Sequence, residues 1–180
     1  MAELVRRELK RIDQLVTQML RLSTPKPAAK NTLSIHHVLD HSLRLLEHQM
    51  AGQLIALKRE YRAIPDQLPG DESQLQQAFM NLLLNGIEAI GTNGELSVLT
   101  ENHLDENGVR RLNIRIRDTG PGIAPENISR LFQPFFTTKK NGTGLGLTIC
   151  ERIAREHQGT IQVASEKGSG TTFTVSLVME

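Results

Sequence analysis

Leu112-Asn113-Ile114-Arg115-Ile116-Arg117-Asp118-Thr119-Gly120-Pro121-Gly122-Ile123 decides how the rest of this 180-residue chain is read. Leu112, Ile114 and Ile116 alternate with Asn113, Arg115 and Arg117, the period-two pattern of a strand with one face on a core. Upstream, Leu96, Val98 and Thr100 alternate in the same way, and the turn-rich segment 105–108 lies between the two runs, which predicts an antiparallel hairpin. On the N-terminal side of the hairpin the period changes. Leu75, Phe79, Leu82, Leu83, Ile87 and Ile90 recur at helical steps over residues 71–90, with Asp71 placed to cap the start and Gly91 just past the end.

Further out, residues 32–35 are expected as a short strand, 36–50 as a helix and 54–62 as a strand. Downstream of the hairpin, 147–158 reads as a helix, and 161–164 and 172–178 as strands joined by the turn 166–170. The predicted class is α+β: a two-layer sandwich with a mixed, mainly antiparallel sheet and helices on one face. A lone amphipathic helix precedes it, with Val5, Leu9, Ile12, Leu15, Val16, Met19 and Leu22 on one stripe. Pro25 and Pro27 end that helix, so residues 23–31 are expected as a linker to a domain at 32–180.

Composition narrows the function classes. With 21 basic against 20 acidic residues, the chain has no charge excess for a nucleic-acid surface. Aromatics are 3% and Trp is absent, which argues against base-stacking platforms. No apolar run approaches the length of a membrane span and no apolar leader core opens the chain. The single cysteine, Cys150, excludes an internal disulfide framework and suits a reducing, cytoplasmic setting. It sits mid-helix between apolar neighbours, where a small buried hydrophobe is expected.

Three clusters carry chemistry. Gln74, Gln77, Asn81, Asn85 and Glu88 form a polar stripe along the helix at 71–90. Two carboxamide oxygens four residues apart suit a hard cation such as Mg²⁺, and a solvated face fits the same stripe. Asp118, at a strand end opened by Gly120 and Gly122, can accept a hydrogen bond from an amino group such as that of adenine, and a tight turn fits it equally. Gly142-Thr143-Gly144-Leu145-Gly146-Leu147 opens a helix with glycines, which lets backbone amides approach a phosphate. Its G-x-G-x-G spacing is neither the dinucleotide fingerprint nor a P-loop. A flexible hinge is the competing reading.

In this order the clusters resemble the ATP-binding catalytic domain of bacterial sensor histidine kinases, in the gyrase, chaperone and kinase ATPase superfamily. Asn81-Leu82-Leu83-Leu84-Asn85 resembles the N box of that family, Asp118 to Gly122 its first glycine box, Leu131 to Lys139 its F box and Gly142 to Leu147 its second glycine box. Gly168-Ser169-Gly170-Thr171-Thr172-Phe173 also matches, and the run Phe135-Phe136-Thr137-Thr138-Lys139 looks most like the nitrogen-regulation and dicarboxylate-sensing branch.

The resemblance implies ATP as substrate and Mg²⁺ as cofactor. It assigns Mg²⁺ to Asn85 with Asn81 beside it, both in the catalytic set, and adenine to Asp118. Gly120, Gly122 and Ile123 would shape the base pocket, and Thr171 would fix adenine through water. Gly142, Thr143, Gly144, Leu145, Gly146 and Leu147 would surround the phosphates, Lys139 would reach them, and Phe132, Phe135 and Phe136 would anchor a lid at 124–146. Where ATP-hydrolysing cousins place a glutamate base, this chain has Asn81, and an amide takes no proton near neutral pH. Gly86 stands where the family usually has Ala, and Glu88 where many relatives carry a basic residue; neither is given a role.

By the same resemblance the N-terminal helix is the second helix of a dimerisation hairpin whose first helix carries the phospho-accepting histidine. None of the six histidines has the acceptor context, so the chain is expected to be part of a larger kinase and not to phosphorylate itself. Expected partners are ATP or ADP, the accepting hairpin helix, a cognate response regulator and a second copy held weakly through residues 3–22, with no nucleic acid and no membrane. An anti-sigma-type protein-serine kinase and a non-catalytic nucleotide-binding interaction module are the competing functions.

Overall fold

A computed structural model describes residues 31–139 and 142–179. The chain order is β1 (Asn31–Ser34), α1 (Ile35–Met50), β2 (Ile55–Tyr61), β3 (Gln67–Gly70), α2 (Glu72–Ile90), β4 (Gly94–Leu104), β5 (Arg110–Asp118), α3 (Pro125–Ile128), α4 (Gly146–Glu156), β6 (Thr160–Glu166) and β7 (Gly170–Val178). Five strands form one sheet in the order β2-β4-β5-β7-β6. The β2–β4 pairing is parallel and the other three are antiparallel, as expected for a mixed, mainly antiparallel sheet. The expected N-terminal helix, the dimer stripe on it and most of the linker lie outside the described residues. Asn31, assigned to that linker, begins β1.

The inward side chains of β4, β5 and β7 are the ones whose alternation was legible: Leu96 and Val98, Leu112, Ile114 and Ile116, and Phe173, Val175 and Leu177. Against them α2 lays Leu75, Phe79, Leu82, Leu83 and Ile87, all buried. Phe79 is fully buried at the centre of this core. Its truncation to Ala would cost about 3–5 kcal/mol, the usual range for a large core side chain.

Helix α2 starts where Asp71 accepts a hydrogen bond from the Gln74 amide, and Gly91, at φ +69°, ends it. Its C-terminal half approaches the sheet closely. A Cβ on Gly86 would lie 2.7 Å from Leu96 Cδ1 and 3.5 Å from Asp118 Cβ. The glycine therefore has a packing reason that offsets its helix cost of about 1 kcal/mol: it admits Leu96 beneath the helix.

Two elements escaped the sequence reading. Strand β3 is four residues long and contains Pro69, so it reads as a turn, yet it pairs with β1 in a separate two-stranded sheet. Helix α3 is a single turn opened by Pro125. Strand β3 is flanked on each side by a long-range hydrogen bond. Ile35 N–H donates to Asp66 O, and Asp71 N–H donates to His157 Nε2 at 3.0 Å. His157 is buried and its Nδ1 lies 2.8 Å from Ile153 O, so one neutral tautomer satisfies both contacts and ties the start of α2 to the end of α4.

Candidate nucleotide site

The C-terminal end of β5 delivers Asp118 into a cleft of about 530 Å³ between α2, residues 121–139 and 142–144, and the start of α4. Asp118 is 3% exposed, and its Oδ1 accepts from Gly120 N–H at 2.8 Å. Burial pushes its carboxyl above the usual carboxylate range, against the pull of the Gly120 and Thr171 amides and of the Lys139 charge. A buried carboxylate with so few donors keeps acceptor capacity for an amino group.

The neighbouring glycines answer the choice between turn and site. At Gly122, φ is +70° and a Cβ would lie 2.1 Å from Glu166 O; at Gly120 it would lie 2.9 Å from the Ala89 carbonyl. Both glycines are required by the backbone, and the turn they make is what aims Asp118. Strand β7 supplies the opposite side. Thr171 pairs with Asp118 in the sheet and its hydroxyl lies 2.9 Å from Ser165 Oγ. Ser165, which no motif picked out, also accepts from Ile123 N–H at 2.9 Å and so links the glycine turn to β6.

Along α2, Asn85 and Glu88 line the cleft. Lys139 reaches across to them: its Nζ donates to Asn85 Oδ1 at 2.9 Å and pairs with Glu88. Asn81, expected beside Asn85 on the cleft, faces α4 instead, where its amide lies 3.4 Å from Gly146 O. Cys150, one turn into α4, is buried with its thiol pushed up to about 12 by desolvation, so it is an inert small hydrophobe.

The glycine loop divides by function. At Gly144 (φ +69°) a Cβ would lie 2.3 Å from Phe135 C, and at Gly142 2.3 Å from Thr137 Oγ1, so both let the loop fold back on the segment before it. Gly146 is different: a Cβ there would meet nothing nearer than Asn81, at 3.8 Å. It lines the cleft at the first turn of α4, an 11-residue helix whose start carries no side-chain cap and whose positive end suits an anion.

Of the residues the resemblance assigned, Asn85, Asp118, Gly122, Ile123, Lys139, Gly142, Thr143, Gly144, Gly146, Leu147 and Thr171 come together on this cleft. Gly120, Asn81, Leu145 and Phe132 do not line it. Leu145 is fully buried in the core, and Phe132 packs against the core with its carbonyl accepting from Thr148 Oγ1 at 3.1 Å. Phe136 and Phe173 are the aromatics on the cleft, and the Arg130 guanidinium lies 4.4 Å from the Phe136 ring centroid. Phe135, at φ +66°, is 59% exposed.

His36 stacks on Tyr61 at 4.5 Å with its Nε2 2.8 Å from Thr100 Oγ1, so it is structural, while His37 and His41 are exposed. Among the described residues no helix is long and apolar enough to cross a membrane.

Residues 70–180 match the family described as histidine kinase-, DNA gyrase B-, and HSP90-like ATPase. The chain is 36% identical over 177 residues to sensor histidine kinase ZraS of Escherichia coli strain K12, covering 98% of this chain and 37% of that protein. It is 33% identical over 174 residues to sporulation kinase C of Bacillus subtilis strain 168, covering 96% and 40%. It thus spans well under half the length of these relatives. The nucleotide-free catalytic domain of histidine kinase ThkA superposes with a TM-score of 0.74 at 28% identity, covering 83% of this chain and 95% of that one. ThkA in complex with the response regulator TrrA gives a TM-score of 0.81 at 25% identity, covering 98% and 50%. With its buried strand-end aspartate, its asparagine helix and its glycine-opened α4 on one cleft, the chain belongs to the histidine kinase-, DNA gyrase B- and HSP90-like ATPase family.

Proposed function

We propose that residues 32–180 are the ATP-binding catalytic module of a sensor histidine kinase, which holds Mg²⁺–ATP and donates its γ-phosphoryl group to a histidine on a hairpin helix outside this domain. The observation that carries the proposal is the single cleft in which a buried carboxylate, a carboxamide oxygen and the first turn of α4 converge. Asp118 accepts the adenine amino group, Thr171 fixes the ring through water, and Ile123 packs on it. The loop from Gly142 to Gly146 surrounds the phosphates at the positive end of α4.

The donor set fits a divalent ion. Asn85 Oδ1 already faces a cation, the Lys139 ammonium. Among the described residues no group of three or more His, Cys, Asp or Glu forms a protein-only cage, so most of the ion's ligands come from phosphate and water, as Mg²⁺ prefers. When bound, Mg²⁺ neutralises charge on the transferring phosphoryl. Asn81 faces α4 and, as an amide, takes no proton near neutral pH, so it does not activate water for hydrolysis. In that transfer the bond from the γ-phosphorus to the ADP oxygen breaks as a bond to the imidazole nitrogen forms.

The accepting hairpin, of which residues 1–22 are the second helix, a response regulator and a weak second copy through Ile12, Leu15, Met19 and Leu22 are the partners in this reading, in a cytoplasmic setting. Similarity to named histidine kinases favours it over an anti-sigma-type serine kinase or a non-catalytic module.

Calorimetric titration with ADP is the first test. Asp118→Asn is expected to lose about ten- to a hundredfold in affinity, the value of one charge-assisted hydrogen bond; unchanged affinity removes the adenine assignment. Incubation with γ-labelled ATP is then expected to label an added hairpin fragment but not this chain alone.

A further inference from the structure

Lys139 and Glu88 are 51 positions apart in sequence, and no motif joins them. In the fold the Lys139 ammonium sits at the cleft, held by two oxygens from successive turns of α2: Asn85 Oδ1 at 2.9 Å and Glu88 Oε2. Two hard oxygens on one helix face, already gathered around one positive charge, are a cation seat. We propose that Asn85 and Glu88 form an exchangeable cation seat, closed by Lys139 when the cleft holds no nucleotide and taken over by the divalent ion of an incoming metal–nucleotide. The inference rests on the nucleotide reading of the cleft and deepens it by giving Glu88 a role there.

Three observations support exchange over a fixed strut. First, the pair is exposed, with side chains 57% and 42% accessible at Glu88 and Lys139, so water screens it and its strength is low. Second, Glu88 is the ion-pair partner of the Lys139 ammonium among the described residues, so the ammonium, as distinct from its backbone, is held by Asn85 and Glu88. Third, Lys139 lines the same cleft as Asp118, so its ammonium stands at the space a nucleotide needs. Lys139 belongs to the segment that lines the cleft opposite α2. Expulsion by the metal would release that segment and free the ammonium for the phosphates, coupling metal entry to its rearrangement. An α2 with a basic residue in place of Glu88 could not bind Lys139 in this way; like charges would keep the two apart.

The test uses the full chain and separates the seat from the base pocket. Without nucleotide, Mn²⁺ binding is followed by the loss of the free-ion spin-resonance signal. Lys139→Gln, which vacates the seat, is expected to bind Mn²⁺ about tenfold more tightly than the wild type, and adding Glu88→Gln to it is expected to remove that gain, within the 10- to 100-fold range typical of groups around a metal. In a second arm ADP is titrated with and without Mg²⁺. Glu88→Gln is expected to cut the Mg²⁺-dependent gain in affinity about tenfold, the low end of that range, while leaving metal-free ADP binding no weaker than in the wild type.

Equal Mn²⁺ affinity in Lys139→Gln and wild type, or a full Mg²⁺ gain in Glu88→Gln, overturns the seat while leaving the nucleotide reading intact. Failure of wild-type chain to bind ADP at all overturns both. Thermal melts of the variants are expected to match the wild type, because both side chains are exposed, so a lost metal effect cannot be traced to unfolding.

Discussion

The wall of the cleft built from β5 and β7 and the wall built from residues 121–139 and 142–144 differ in how much of the core stands behind them. Asp118 and Thr171 are buried, paired across the sheet and braced by Ser165 and Gly120. The other wall is anchored by Leu131, the partly buried Phe132 and the Arg130–Phe136 stack, and it leaves Phe135 in solvent. A base must be distinguished by fixed acceptors, which needs a rigid frame. A phosphate chain must be admitted and released, which needs a wall held by few contacts.

Damage to the rigid wall should have the largest consequence. At Gly170, φ is +88° and a Cβ would lie 2.0 Å from the Asp118 carbonyl oxygen. Gly170→Ala therefore strains the backbone and pushes β7 off β5 at the base pocket. A loss of about 3 kcal/mol or more in urea-unfolding free energy is expected, together with loss of ADP binding. Stability close to wild type would mean the frame is softer than its hydrogen bonds imply.

Next in size is the pH response of that wall. Burial raises the Asp118 carboxyl in the folded state above its unfolded value. Its contribution to stability is fully present below the unfolded value of 3.8 and is lost as pH rises through the folded one. Asp71 behaves oppositely. Burial raises its carboxyl, but hydrogen bonds from Ser73 and Gln74 outweigh this and lower it, so its contribution is present above 3.8 and lost on acidification. Asp118→Asn should then match wild type at pH 3 and be at least as stable at pH 7, while binding ADP less well. Denaturation series at the two pH values check this. A variant less stable than wild type at pH 7 would show that the carboxylate braces the fold.

The smallest effects are expected on the other wall. Phe135→Gly removes an exposed ring and relaxes a backbone angle that glycine adopts freely, so stability should change by under about 1 kcal/mol in thermal unfolding. Hydrogen exchange sharpens the contrast: amides at 124–139 should exchange much faster than those of β5 and β7 without nucleotide, and slow on adding Mg²⁺–ADP. Equal protection of both walls in the free chain would erase the distinction drawn between them.

What was legible in the sequence was whatever repeats at short range. The alternation in Leu112, Ile114 and Ile116, the helical spacing of Leu75, Phe79, Leu82 and Leu83, the cap at Asp71 and the stop at Gly91 are local, and each reappears with bounds shifted by a residue or two. Asp118 and the glycine loop were legible as a set because ordered motifs survive in one dimension. Strand β3 was not, because four residues with Pro69 have no strand signal until β1 lies beside them.

Tertiary structure alone decided which of these residues share the cleft and which only support it. Nothing in Asn81-Leu82-Leu83-Leu84-Asn85 says that Asn81 turns to α4 while Asn85 meets the cleft; where the start of α4 and Lys139 come to lie against α2 decides that. Gly86 is a helix defect in sequence and a close-packing position against Leu96 in space. Lys139 meets Glu88 because the chain folds back between them, and His157 meets Asp71 N–H across 86 positions for the same reason. Periodicity and capping belong to the backbone's nearest neighbours and can be read along the chain. Charge pairing, burial of a carboxylate and the space for a Cβ depend on distances that exist only once the layers are packed.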